Sequence, residues 1–150
     1  MLTQQEFETI LDDTSKVIQG DIEWQEDEDH SPSVEFRVEI VSSAGWPLFV
    51  KGSYNRDVKA LTFAIIFQRS ARIYALDLGK KHRNPDGIEV GEKHKHRWSE
   101  RFRDKEAYEP PDITATTDRP LDVWQQFCVE AKIQHLGAMK PPVERRLFDA

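Results

Sequence analysis

The sequence predicts an α+β fold, in which an antiparallel meander of four or five strands carries an N-terminal and a C-terminal helix packed on one face. Three observations lead there. A capped amphipathic pattern opens the chain, alternating apolar runs joined by short turns occupy residues 33–98, and a second helical stripe follows Asp118. With 150 residues and no internal repeat or linker, the simplest organisation is one domain, residues 1–150, around one core.

The N-terminal unit is residues 1–20. Thr3-Gln4-Gln5-Glu6 has the form of a capping box, with the Thr3 hydroxyl accepting from the Glu6 amide and the Glu6 carboxylate reaching back. Phe7, Ile10, Leu11, Val17 and Ile18 then share one helical face, which predicts a helix over residues 4–19 stopped by Gly20. The stretch from Asp21 to Asp29 holds six acids in nine residues. Like charges repel, so it is expected as an exposed loop with Ile22 and Trp24 available as anchors.

Four strands follow. Val34, Phe36, Val38 and Ile40 alternate with charged residues, the period-2 mark of a half-buried strand. Trp46, Leu48, Val50 and Tyr54 give the second, with Gly52 a candidate bulge. Leu61, Phe63, Ile65 and Phe67, with small or apolar residues between them, give a central strand covered by a helix. Arg72 to Leu78 forms the fourth, and the short connections favour a meander. Within it Asp77, out of phase with Leu76 and Leu78, reads as the polar side of an edge strand.

Asn84-Pro85-Asp86-Gly87 is a tight turn, because proline fixes φ and glycine accepts the positive φ that closes it. Lys93 to Trp98 alternates as a fifth strand, with His94, His96 and Trp98 on one face and Lys93, Lys95 and Arg97 on the other. The C-terminal helix is expected over residues 118–134. Asp118 stands as its N-cap, Pro120 in its first turn, and Leu121, Trp124, Phe127, Cys128 and Ala131 as its buried stripe. Residues 138–150, with Pro141-Pro142, read as an extended tail.

Net charge is −6, which argues against a general nucleic-acid coat protein, but residues 80–105 hold nine Lys/Arg against five Asp/Glu. Screening confines fields to roughly 8 Å at physiological salt, so a local basic segment still attracts phosphate. The longest apolar run, Ala60 to Phe67, has eight residues; a membrane helix needs about 20, and no membrane association is expected. No basic and apolar leader is visible, and the single cysteine, Cys128, reads as a packed, inert thiol, so a cytoplasmic location is expected. No Walker loop, GxGxxG, GxSxG or HExxH occurs, and no cofactor is called for.

His94 and His96 stand two apart on a strand, so their rings project to one side about 6–7 Å apart at the backbone. Three uses are open. With His82 they can serve as general acid and base on a phosphodiester, since a pKa near 6.5 lets one ring be protonated and the other not. They can bind a divalent metal, with His82, Asp86 or Glu100 completing the shell. Or they can hydrogen-bond a polar loop over the sheet. Arg97, Arg101 and Arg103, interleaved with Trp98, Phe102 and Tyr108, pair phosphate-binding cations with faces for unpaired bases, which suits single-stranded RNA. Asn84 joins these arginines as a phosphate-binding group, while Lys105 and Tyr108 join the histidines as a point charge and a hydroxyl donor.

The residues Leu76, Asp77, His82, Asn84, Pro85, Asp86, Gly87, His94, His96, Trp98, Glu100, Asp104, Lys105 and Ala107 form a motif. It resembles that of a family of small uncharacterised bacterial and phage proteins handled as a domain of unknown function. The resemblance covers about a fifth of the chain and implies no activity. It makes the His-x-Asn-Pro-Asp-Gly loop and the His-x-His strand one unit, and it is compatible with mobile-element or defence genes, where toxin-like endoribonucleases and their inhibitors occur. The expectation is a protein binding phosphate or RNA, as a metal-independent endoribonuclease using His82, His94 and His96 with Lys105 and Tyr108. The alternatives are a His/carboxylate metal-binding protein and a non-catalytic protein that inhibits a host nucleic-acid enzyme through the acidic Asp21–Asp29 segment. Oligomeric state is left open.

Overall fold

Helix α1 (Gln4–Asp12) is followed by strands β1 (Val17–Gln19) and β2 (Gln25–Glu26) in the computed structural model, which describes residues 2–142. The meander β3 (Val34–Ile40), β4 (Leu48–Asn55), β5 (Ala60–Phe67) and β6 (Ala71–Leu78) comes next. A small hairpin, β7 (His82–Arg83) and β8 (Glu89–Val90), leads into β9 (Lys93–Arg97) and β10 (Ala107–Tyr108). Helix α2 (Pro120–Ala131) and β11 (Gln134–Leu136) close the chain. The fold is α+β, and its main sheet has seven strands in the order β10-β9-β6-β5-β4-β3-β2, all pairs antiparallel. The expected four or five strands are its centre; short edge strands too brief to show a period extend it at both ends.

Both helices cover the same sheet face. Phe63 of β5 meets the Trp124 ring at 5.1 Å and the Phe127 ring at 5.6 Å, and Phe7 of α1 meets Trp98 at 6.1 Å. Leu61, Ile65, Tyr74 and Leu76 complete this core, each buried. At about 25 cal/mol per Å² of apolar surface removed from water, the aromatic side chains carry the largest single shares of its stability. Gly52, expected as a bulge, sits in regular register, and a Cβ there would lie 2.0 Å from the Phe36 ring. The irregularity falls instead between β5 and β6, where Ile65 and Ile66 pair with Tyr74 and Arg72 and Ile73 of β6 is the extra residue.

Helix α1 ends at Asp12, seven residues short of the expected end. Asp13 accepts from the Ser15 amide at 2.8 Å and the Ser15 hydroxyl at 2.7 Å, a local turn that competes with helix. Buried Lys16 then donates to the carbonyls of Ile10, Leu11 and Asp13 at 2.5, 2.7 and 2.8 Å, satisfying the free end of the helix. Val17 and Ile18, which fit the helical face in the sequence, pair in β1 with Gln134 and His135 of β11, in parallel. Helix α2 is also shorter than expected. Asp118 does not cap it: its carboxylate accepts from the Thr116 hydroxyl, and the residue before the helix, Arg119, makes no side-chain cap. Pro120 stands in the first turn as expected, and Lys132, with φ of 55°, ends the helix.

The acidic segment is pinned rather than free. Ile22 and Trp24 are buried, β2 pairs with β3, and Ile22 bridges to Met139 of the expected tail. Residues 143–150 of that tail lie outside the described residues. Cys128 is buried, and burial pushes its thiol up to about 12, so it is inert. No helix among the described residues is long and apolar enough to cross a membrane.

Candidate functional site

The sheet face away from the helices carries the site. Strand register places Asp77 of β6 opposite Thr62 of β5 and His94 of β9, and Ala75 opposite His96, so all four polar side chains project the same way. Asp77 is therefore not on an edge: β6 lies between β5 and β9, and the residue is 7% exposed. Sequence reasoning missed it, although its place beside the His-x-His strand in a meander was a usable signal.

The turn at Asn84–Gly87 folds β7 against β8 and swings His82 back over the pair. Gly87 (φ 87°) donates its amide to the Asn84 carbonyl at 2.8 Å, closing the turn. The Asn84 side chain docks the hairpin on β10 by exchanging two hydrogen bonds with the Ala107 backbone. The His82 ring centroid then lies 5.6 Å from His94 and 4.6 Å from His96, which are 5.0 Å apart. The histidine cluster is thus assembled from two separate elements.

Every imidazole is held at one nitrogen by a backbone carbonyl. His94 Nδ1 lies 2.9 Å from the Gly91 oxygen, His96 Nδ1 2.7 Å from the Asp104 oxygen, and His82 Nε2 2.6 Å from the Lys105 oxygen. A carbonyl only accepts, so each of these nitrogens carries a proton. In the neutral ring the other nitrogen then holds the lone pair, which is Nε2 of His94, Nε2 of His96 and Nδ1 of His82. One ring nitrogen from each histidine lies within 4.8 Å of the other two.

Asp77 faces the same centre. Its Oδ2 is 3.2 Å from His94 Nε2 and 3.3 Å from His96 Nε2, while Oδ1 accepts from the Thr62 hydroxyl at 2.6 Å. Burial works to raise this carboxyl, but hydrogen bonds from His94 and His96, donated when their Nε2 atoms carry a proton in place of the lone pair, and from Thr62 outweigh it and hold the group well below the usual carboxylate range. For His94 burial acts downward; its bonds to Asp77 and to the Gly91 carbonyl prevail, and its pKa is raised. His94 and His96 are 2% and 3% exposed, and half-buried His82 forms the outer wall.

The other expected site residues divide sharply. Lys105 borders the depression in front of the imidazoles. Arg97 pairs with Tyr74 in register and so projects to the helix side, where it lies over the Phe7 ring. Tyr108 also projects there, its hydroxyl 3.2 Å from Glu130; both are removed from the histidines by the sheet itself. Glu100 accepts from the Gln4 amide at 2.7 Å near the start of α1, so the metal-ligand role expected of it is spatially closed. Asn84 spends its amide on Ala107 and is a positioning residue, not a phosphate contact. Arg101 stacks on Phe102 and Arg103 donates to the Glu100 carbonyl at 2.7 Å, both exposed in the turn after β9. Trp98 is buried, so it offers no face to a base.

Beneath the opposite face Lys95 is fully buried. Its ammonium donates to Asp112 at 2.6 Å and Glu130 at 2.8 Å, with the Tyr74 hydroxyl also on Glu130. This network anchors β9 from behind and leaves the histidine face free of its charge.

The model of a family described as a family of unknown function (DUF6978) matches residues 2–133, nearly the whole described chain. No curated protein and no solved structure matches the chain.

Proposed function

Since the chain belongs to a family of unknown function, DUF6978, which lends it no activity, we propose from its own side chains that it carries a mononuclear divalent metal centre. His82, His94, His96 and Asp77 would be the ligands. The observation that carries this reading is the set of three carbonyl contacts, each fixing a tautomer, on three rings that each bring one nitrogen within 4.8 Å of the other two. Hydrogen bonds of this kind orient metal-bound imidazoles in general and raise their basicity. Distances agree. Metal bonds of about 2.0–2.1 Å at tetrahedral angles separate neighbouring ligand atoms by about 3.3 Å, and Asp77 Oδ2 lies 3.2 and 3.3 Å from the two Nε2 atoms. His82 completes the set, one of its ring nitrogens lying within 4.8 Å of a nitrogen on each of the other two rings. An imidazole and carboxylate donor set suits zinc, manganese or nickel.

The test is the metal content of protein purified without a histidine tag, together with its melting temperature as zinc, manganese or nickel is added. One ion per chain and a rise in melting temperature are expected; at 100 times the dissociation constant, binding stabilises by about 2.7 kcal/mol. Protein that holds no ion and shows no change with any of the three would overturn the reading.

A second reading is metal-independent cleavage of RNA by the same imidazoles, favoured by the cations that rim the depression. It asks more of the rings. His94 and His96 have both nitrogens engaged and are almost wholly covered, leaving only His82 Nδ1 to exchange a proton with a ligand. Cleavage of single-stranded RNA in the presence of a chelator, lost in His82→Ala, would favour it over the metal centre.

A further inference from the structure

We infer that the depression in front of the imidazoles is an oxyanion site for the phosphate group of a phosphate ester, an inference that rests on the metal reading above. The depression has a volume of about 350 Å³, more than a bare phosphate fills and close to the lower end for small-molecule sites. Four cations border it, Arg72, Lys80, Lys81 and Lys105, against two carboxylates, Asp77 and Asp104.

Both carboxylates are already committed. Asp77 is bound by Thr62 and the two imidazoles, and Asp104 receives the Arg72 Nε–H at 2.9 Å. Lys81 leans toward Glu89 at 3.9 Å, whereas Lys80 and Lys105 have no carboxylate partner among the described residues. The Arg72 guanidinium is held by Asp104 at its Nε, with its Nη1 4.0 Å from Asp77 Oδ2. Unpaired ammonium groups beside a fixed guanidinium and a divalent ion make a field for a dianion. A phosphate monoester supplies two charges and three terminal oxygens, whereas a carboxylate supplies one charge and two oxygens. The base-stacking faces expected from Trp98 and Tyr108 are absent from this side of the sheet, so recognition falls on the phosphate and not on a base.

The experiment loads wild-type protein with zinc, confirms the zinc content, and titrates it calorimetrically with inorganic phosphate, adenosine monophosphate and a single-stranded RNA oligonucleotide. Inorganic phosphate and the mononucleotide are expected to bind at one site. Affinity should fall about tenfold in Lys80→Gln and about tenfold in Lys105→Gln, with zinc content unchanged. Tighter binding of the oligonucleotide, with the same dependence on both lysines, would assign the phosphate to a nucleic-acid backbone; tighter binding of the mononucleotide would assign it to a small monoester. Zinc-loaded protein that binds none of the three, or binds them equally well in both lysine variants, overturns the inference. If the protein takes up no metal, the same titrations on metal-free protein separate the two readings. Lysine-dependent phosphate binding would then retain the oxyanion site while the metal centre falls, and no binding would overturn both.

Discussion

The Asn84 side chain and the Ala107 backbone exchange two hydrogen bonds, Nδ2 donating to the Ala107 carbonyl at 2.8 Å and the Ala107 amide donating to Oδ1 at 2.8 Å. An amide side chain thus takes the place of a neighbouring strand for one residue of β10. Its effect is felt at His82, two residues earlier, which the docked hairpin holds over the other imidazoles. Asn84→Ala is expected to weaken metal binding by about 10- to 100-fold, as loss of an outer support for a ligand does. Competition with a chromophoric chelator measures this, and unchanged affinity would show that the hairpin needs no such anchor.

Asp77 and Glu100 make opposite predictions. Asp77→Asn keeps the shape of the side chain and removes the charge that faces both Nε2 atoms, so bound metal should fall well below one ion per chain. Glu100→Gln should retain a full ion, because Glu100 serves the Gln4 amide on the other side of the sheet. Metal analysis of the two purified variants side by side decides it. Loss of metal in both, or in neither, would mean that the ligand set is misassigned.

The Lys95–Glu130 pair sets an acid limit on stability. Burial acts to raise the Glu130 carboxyl, but the Lys95 ammonium and the Tyr74 hydroxyl bring it below its ordinary value of 4.5. A carboxylate with a depressed folded pKa stabilises fully above the unfolded value and loses that contribution as pH falls through the folded one. Glu130→Gln should therefore cost about 1–3 kcal/mol at pH 7, and the gap to wild type should close as pH drops below 4.5. Chemical denaturation of both proteins from pH 7 to pH 3 follows it, and a gap that stayed constant would place the stabilisation elsewhere.

Lys16 offers a test of the early helix end. Burial pushes its ammonium down to about 8, yet it remains a donor at neutral pH to three carbonyls at the end of α1. Lys16→Met fills the same space but leaves those carbonyls unpaired, and a loss of about 3 kcal/mol is expected. Denaturant unfolding measures it; a loss below about 0.5 kcal/mol would mean that water replaces the ammonium without penalty.

The features legible in the sequence were those with a local cause. The capping box at Thr3, the alternation in β3 and the Asn-Pro-Asp-Gly turn each act within a few residues, and each is present where the residues predict it. The site was half legible for the same reason: the turn and the His-x-His spacing announce three imidazoles. Asp77 was not, because its role comes from cross-strand register with His94, a relation between strands that no local period encodes. Tyr108 failed by a single residue of parity. The two-residue pairing of β10 sets Ala107 opposite His96 and turns Tyr108 to the far face. Val17 and Ile18 failed differently, since their strand partner lies beyond α2 at the other end of the described chain.

That distant partner has a consequence for synthesis. β1 can bridge to the end of β3 through Val17 and Val41 early, but its parallel partner exists only once Gln134 to Leu136 have left the ribosome, when the Gly20 amide can also donate to the Leu136 carbonyl. The meander from β3 to β6 is complete far earlier, so the growing protein must hold a finished sheet beside a leading strand fastened on one side only. Translation pauses before codon 134 would prolong that half-paired state of β1, whereas pauses after it would not.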